Sequence, residues 1–282
     1  MSATPVLETR GLGIRFGGLK AVDDVDLQVP EGQTLGVIGP NGAGKSTFIN
    51  LVTGHLRPTS GQVLVDGQDL TGAKPWVIAK ARVARTFQIV KPFRGMTVRE
   101  NVAVGVMYGP DGMTRMGPAL HRADEVLEQV GLGAAAGRSP GELSVADARR
   151  LEFAKALALS PRLLLLDEVM AGLRPGEIEP SLQLIRDLKA QGMTIIVVEH
   201  VMKAILAVSD QVLVLNAGQR LMLGPPRDVL SDPTVIEAYL GHKYAARQAA
   251  AQAAQPTPSP SAGAAPTLPA ASAGSEEVSP DA

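Results

Sequence analysis

The chain reads as an α/β fold, a parallel sheet with flanking antiparallel strands plus a helical subdomain. Three observations predict it. Short apolar runs recur: LGVIG at 35–39, LLLLD at 163–167 and TIIVVEH at 194–200. Such runs mark strands buried on both faces of a parallel sheet. Helical patterns alternate with them, at 46–53, 143–159 and 179–191. Finally, the first apolar run feeds directly into a glycine-rich loop, GPNGAGKST, that opens a helix.

At the start of the chain, MSATPVLETRG has no apolar core of signal-peptide length, so no targeting segment is expected there. The loop that follows the first buried strand satisfies G-x-x-x-x-G-K-[ST], with Gly39, Gly44, Lys45 and Ser46, and Thr47 after them. Pro40, Asn41, Gly42 and Ala43 complete it. Glycines let a backbone wrap a polyphosphate closely where a Cβ would obstruct it. Successive N–H groups and the helix N-terminus then face the anion. Lys45 brings a mobile positive charge to the β- and γ-phosphates, and the Ser46 hydroxyl can ligate Mg²⁺. This loop between a strand and a helix predicts a P-loop NTPase core. Taken alone it does not separate ATPases, GTPases and small-molecule kinases.

Further along, GQVLVDGQDL carries an Asp66-Gly67 turn signal and reads as an antiparallel piece beside the core. Residues from about 91 to 160 are mostly helical in pattern. TVRE, from Thr97 to Glu100, is a capping box that opens one of those helices. LSVADARR opens another, with Ser144 three residues ahead of Asp147. LLLLDE ends a buried strand in two acids, Asp167 and Glu168. One carboxylate at such a place can hold Mg²⁺ through water, and its neighbour can polarise an attacking water. His200 ends the next buried strand. The carboxyl ends of parallel strands border the crevice where ligands bind, so His200 is a candidate to bond a γ-phosphate and the attacking water. Glu199 beside it is the lesser candidate. QVLVLNAGQRLML supplies a second antiparallel piece with its turn at 216–218.

Composition narrows the function. A formal net charge of −1 over 282 residues gives no basic character that would argue for nucleic acid or an anionic membrane surface. The chain has no cysteine, which excludes disulfides and thiolate chemistry and suits a reducing compartment. No run approaches about 18 uninterrupted apolar residues, so no membrane span is expected. From 245 to 282 the residues are almost all Ala, Pro, Ser, Gln and Gly, with no aromatic. Such a segment cannot bury enough apolar surface to offset the entropy of ordering it, and a disordered tail is expected. The domain reading is therefore 1–244, with a helical subdomain at about 89–160 inserted in it, followed by the tail.

Taken in order, GPNGAGKST, Gln88 in RTFQ, LSVADARRLEFAKALA, LLLLDE and His200 resemble the ATP-binding subunit of an ABC transporter, over residues 7–239. RGLGIRFGGLKAVDDVDL, RTFQIVKPFRGMTVRENV, LLLLDEVMAGLRPGE and DVLSDPTVIEAYLG look like the ATPase subunits of branched-chain amino acid uptake systems. The resemblance implies ATP and Mg²⁺ as ligands. It places Phe16 where an aromatic ring stacks on adenine and Gln88 where a side chain contacts the metal and the attacking water. Asp167 matches the Mg²⁺ partner, Glu168 the general base and His200 the switch histidine. It also implies two ATPase domains packed head to tail, each ATP held between the loop of one and the serine stretch of the other, in a homodimer or a heterodimer. Transmembrane permease subunits would be contacted near Phe93 and Met96, and the subunit would sit peripherally on the cytoplasmic face of the membrane. A soluble ABC ATPase of another process, or a nucleotide-sensing partner with weak turnover, remains an alternative.

Two departures from the family pattern stand out. Arg174 occupies the place where the loop after Glu168 usually ends in aspartate. In LSVADARR the usual glycines are Val145 and Ala146, and the position usually Gln or Glu is Asp147. Ser144 keeps its hydroxyl and Ala146 its N–H, the latter usable if the backbone there needs no positive φ. Asp147 would repel an anion unless it turns to the capping N–H groups or to solvent. The expectation is a weakened but working half-site.

Overall fold

A computed structural model of the chain describes residues 4–87 and 91–240. The first elements are β1 (Leu7–Phe16) and β2 (Leu19–Val29), a long antiparallel hairpin turning at Gly17-Gly18. Then come β3 (Thr34–Ile38) and α1 (Lys45–Val52). β4 (Ser60–Val65) and β5 (Gln68–Asp69) pair across the Asp66-Gly67 turn, where both residues take positive φ. These strands make a four-stranded antiparallel sheet in the order β2-β1-β4-β5. Its long hairpin alternates strictly only at Val25–Val29, and the sequence reading did not isolate it.

α2 (Pro75–Lys80) leads into β6 (Val83–Arg85), an edge strand too short to show a pattern. The helical stretch follows as α3 (Val98–Tyr108), α4 (Met116–Gln129), two single 3₁₀ turns and α5 (Val145–Leu157). α3 starts where TVRE predicts. The Thr97 hydroxyl accepts from Glu100 N at 3.2 Å, and Glu100 Oε2 accepts from Thr97 N at 2.7 Å. β7 (Leu163–Asp167), α6 (Pro175–Ala190), β8 (Thr194–Val198) and α7 (Met202–Val208) continue the alternation. β9 (Gln211–Asn216), β10 (Gln219–Gly224), α8 (Pro226–Ser231) and α9 (Pro233–Leu240) complete it.

α6 begins earlier than the helical pattern at 179–191 suggests. Pro175 stands at its first position, and Arg174 N donates to Glu177 Oε2 at 2.8 Å, so the start signal lies four residues upstream and Pro180 falls inside the helix. β9 is likewise more than a flanking piece. It pairs parallel with β3 and carries β10 antiparallel on its far side, giving a six-stranded sheet β10-β9-β3-β8-β7-β6.

Side chains along the central strands alternate between two cores. Leu164, Leu166, Ile195, Val197, Val212 and Val214 pack on the face covered by the helices from α3 onward. Leu163, Leu165, Ile196, Val198, Leu213 and Leu215 pack on the other face, against α1 and the antiparallel sheet. That two-sided burial is why the runs are continuously apolar. Among the described residues no helix is long and apolar enough to cross a membrane.

Candidate functional site

The loop between β3 and α1 is gripped at both ends by neighbouring backbone. A Cβ on Gly39 would collide with the carbonyl oxygen of Leu215 on β9. Gly44 sits at φ 101°, and a Cβ there would lie 2.5 Å from Ala21 O on β2. α1 has no side-chain cap and no acid in its first turn, so its N-terminal N–H groups keep their affinity for an anion. Lys45, buried at the head of α1, folds back so that Nζ donates to Gly39 O at 2.7 Å and Pro40 O at 3.1 Å. Burial pushes its pKa down, and the nearby Glu168 and Asp167 carboxylates oppose that.

The strand ends supply the acids. Asp167, buried at the end of β7, accepts from Arg85 Nη2 at 2.7 Å through Oδ2. Arg85 Nη1 donates to Asn50 Oδ1 at 2.6 Å, and the guanidinium lies 5.4 Å from the centre of the Phe87 ring. Glu168 takes a left-handed backbone, φ 49°, held by a hydrogen bond from its N–H to Val198 O at 2.9 Å. A non-glycine residue in that region costs of order 1–3 kcal/mol and persists only where its surroundings hold it. The turn brings Glu168 Oε1 to 2.8 Å from His200 Nε2. His200 faces solvent, whereas Glu199 is buried, because successive residues leaving a strand point to opposite sides. Glu199 Oε1 accepts from Met170 N at 2.9 Å, and burial pushes its carboxyl pKa up. Glu199 thus braces the turn after Glu168 and does not line the site.

Phe16, Asn41, Gly42, Ala43, Gly44, Lys45, Ser46, Thr47, Glu168 and His200 line one cavity of about 610 Å³. Leu19, Lys20, Ala21 and Ala217 line it too, and the sequence reading did not single them out. Gly39 and Pro40 lie at the base of the loop, outside the wall, as does the buried Asp167. Gln88 lies outside the described residues, as does the segment 245–282 read as a tail. Arg85 was missed because its partner Asp167 is 82 residues away.

The loop fits a nucleoside triphosphate: it combines a cradle that side chains would fill with a buried cation at its centre. The exposed Ser46 and the buried Asp167 are the described residues whose oxygens suit Mg²⁺. Among the described residues no group of three or more His, Cys, Asp or Glu stands close enough to hold a metal. Mg²⁺ characteristically keeps water and takes phosphate oxygens beside one or two side-chain ligands, so it does not require such a group.

Ser144, Ala146 and Asp147 are not in the cavity wall. Ser144 caps α5: its hydroxyl accepts from Asp147 N at 3.1 Å and donates to Asp147 Oδ2 at 2.8 Å. Asp147 Oδ1 is 3.5 Å from Arg150 Nη1. The aspartate is therefore turned onto the cap and a guanidinium. Val145 and Ala146 belong to the helix and have no positive φ, so the missing glycines leave no backbone strain. Val145 is 63% exposed. Phe93 and Met96 are exposed as well, and Asn101 holds the turn beneath them by accepting from Phe93 N at 2.7 Å.

Comparison with known proteins shows the family. The sequence profile of the ABC transporter family matches residues 22–171. A second profile, branched-chain amino acid ATP-binding cassette transporter, matches residues 220–245. The high-affinity branched-chain amino acid transport ATP-binding protein BraF of Pseudomonas aeruginosa is 40% identical over 250 residues, 84% of this chain and 98% of that protein. A nucleotide-free ATP-binding cassette from an ABC transporter superposes with a TM-score of 0.76 at 32% identity, over 84% of this chain and 99% of that one. A dimeric post-hydrolysis ATP-binding cassette bound to ADP and phosphate superposes with a TM-score of 0.71 at 25% identity, over 78% and 99%.

Proposed function

The chain belongs to the ABC transporter family as one of its ATP-hydrolysing cassettes, and from that premise we propose that it powers a membrane importer for branched-chain or related amino acids. The observation that carries the mechanism is the single cavity lined by the glycine loop, Lys45, Glu168 and His200. The similarity to a branched-chain amino acid transport protein at 40% identity supports the solute class.

In this reading the triphosphate lies on the N–H groups of residues 41–47, and Lys45 exchanges the Gly39 and Pro40 carbonyls for phosphate oxygens. Phe16 stacks on the adenine. Glu168 takes the proton of the attacking water, and His200, 2.8 Å from its carboxylate, orients it and bonds the γ-phosphate. Ser46, Asp167 and Gln88 would hold Mg²⁺, whose part is to neutralise charge on the β- and γ-oxygens. Ser144, with the N–H groups of Ala146 and Asp147, completes the site of a second ATPase subunit, identical or related. That dimer works on permease subunits through the surface at Phe93 and Met96, on the cytoplasmic face of the membrane.

The test combines phosphate release by the unaltered chain with the light-scattering mass of Glu168→Gln, with and without ATP. Turnover and an ATP-dependent doubling of mass are expected, because removing the base traps the closed dimer. A protein that binds ATP but neither turns over nor doubles overturns the homodimeric form of this reading. The heterodimeric form then requires that a related subunit restore both.

A further inference from the structure

The C-terminal helix reaches the phosphate loop. The Tyr239 hydroxyl, on α9, accepts a hydrogen bond from Gly39 N, across 200 residues of sequence. Gly39 is thus held from both sides: its N–H by Tyr239, and its carbonyl by Lys45 Nζ at 2.7 Å. Any nucleotide that takes the lysine away removes one of these two holds. Gly39 also has no room to move sideways, given the Leu215 carbonyl packed against it.

We propose that Tyr239 is a positioning residue for the nucleotide site, its hydroxyl pinning the start of the loop at Gly39 while Lys45 moves from the loop carbonyls to the phosphates. This rests on reading residues 39–47 as the nucleotide loop. The arrangement has the stiffness the role requires. Tyr239 packs against the core formed by the central sheet and helices, and Val229 and Val235 anchor α8 and α9 in it. Asp232 Oδ1 accepts from Thr234 N at 2.8 Å and fixes the start of α9. The phenol is neutral at its ordinary pKa of 10.0, and burial pushes that up to about 12, so it sets no anion beside the phosphates. The segment matched by the branched-chain profile, 220–245, is the one that carries this hydroxyl. That stretch therefore has a task at the ATP site, although it lies far from the loop in sequence.

Tyr239→Phe in the full chain keeps the ring and its packing and removes only the hydroxyl. Two readouts separate positioning from general stability: the dissociation constant of a fluorescent ATP analogue, and amide hydrogen exchange at Gly39 in the nucleotide-free protein. The bond is present before nucleotide arrives, so its loss acts by leaving the loop less preorganised, and the strength of one hydrogen bond sets the upper bound: an affinity loss of about two- to tenfold. The expected result is that loss, together with faster exchange confined to Gly39 and its neighbours and a melting temperature close to that of the unaltered chain. Unchanged affinity overturns the proposal, whatever the exchange shows. So does a weaker affinity accompanied by faster exchange throughout the core, since that marks a merely structural residue. Tyr239→Leu, which also loses the ring's packing, should lower the melting temperature further while weakening the analogue no more than the loss of the hydroxyl and of stability together explain. Lys45→Ala serves as the control. If it binds the analogue as tightly as the unaltered chain does, the nucleotide reading itself fails, and the Gly39 exchange result still reports on the hydrogen bond.

Discussion

Single side chains in this protein show how a neighbour from another strand changes what a residue does. Asp167 and Arg85 are both largely buried, with side chains 8% and 12% exposed. Removing one partner strands the other's charge, which typically costs about 3–5 kcal/mol. Arg85→Ala should therefore destabilise the chain by about that much in urea unfolding. Arg85→Met combined with Asp167→Asn should cost less than the two single changes added, and strict additivity would deny the coupling. Glu199 gives a pH prediction. Its carboxyl pKa is raised in the folded state, so the folded chain holds the proton longer than the unfolded chain. Stability is then lost as pH rises from the ordinary value of 4.5 through the raised one. Glu199→Gln removes that loss while still accepting from Met170 N. Its stability relative to the unaltered chain should rise with pH above 4.5, and a pH-independent difference would refute the assignment. Glu168→Gln should cut phosphate release by about 10²–10⁴-fold with nucleotide binding retained.

Among the elements, α5 answers for the altered serine stretch. A helix needs a hydroxyl or carboxylate at its N-cap far more than it needs glycine after it, and Ser144 with Asp147 meets that need. Ser144→Ala should lower stability by about 1 kcal/mol through the cap alone, measured on the isolated chain. No change would mean that Asp147 or water already satisfies the end of the helix. The same local logic made α3 legible, because Thr97 and Glu100 stand three apart and each completes the other's hydrogen bonding. α6 was misjudged at its start, since the apolar period becomes regular only after the turn that Pro175 and Glu177 open. β6 was not legible at all. Three residues on a sheet edge have no period to read.

Across the whole molecule, the two cores share one sheet, with alternate residues of the same strands in each. Residues 4–240 should therefore unfold as one cooperative unit rather than as a core plus a separate helical part. Nucleotide at about one hundred times its dissociation constant adds about 2.7 kcal/mol to the folded state. In a domain of this size that corresponds to a rise in melting temperature of about 5–10 °C. Calorimetry should show one transition moving as a whole. A second, nucleotide-insensitive transition would mean that the helical elements fold independently of the site.

What the sequence determined by itself is local. The glycine-rich loop, the acids closing LLLLDE, the capping boxes and the buried strands all depend on residues a few positions apart, where spacing and period encode the geometry directly. The placement of His200 at a strand end was readable for the same reason. Tertiary structure alone decided the pairings between strands. His200 meets Glu168 across 32 residues, Arg85 meets Asp167 across 82, and Tyr239 meets Gly39 across 200. The first two follow from the order β10-β9-β3-β8-β7-β6, which brings the carboxyl ends of separate strands to one edge, and the third from the packing of α9 on the core. No period along the chain records which strand will lie beside which, because strand order is chosen by the packing of the whole sheet against its two cores.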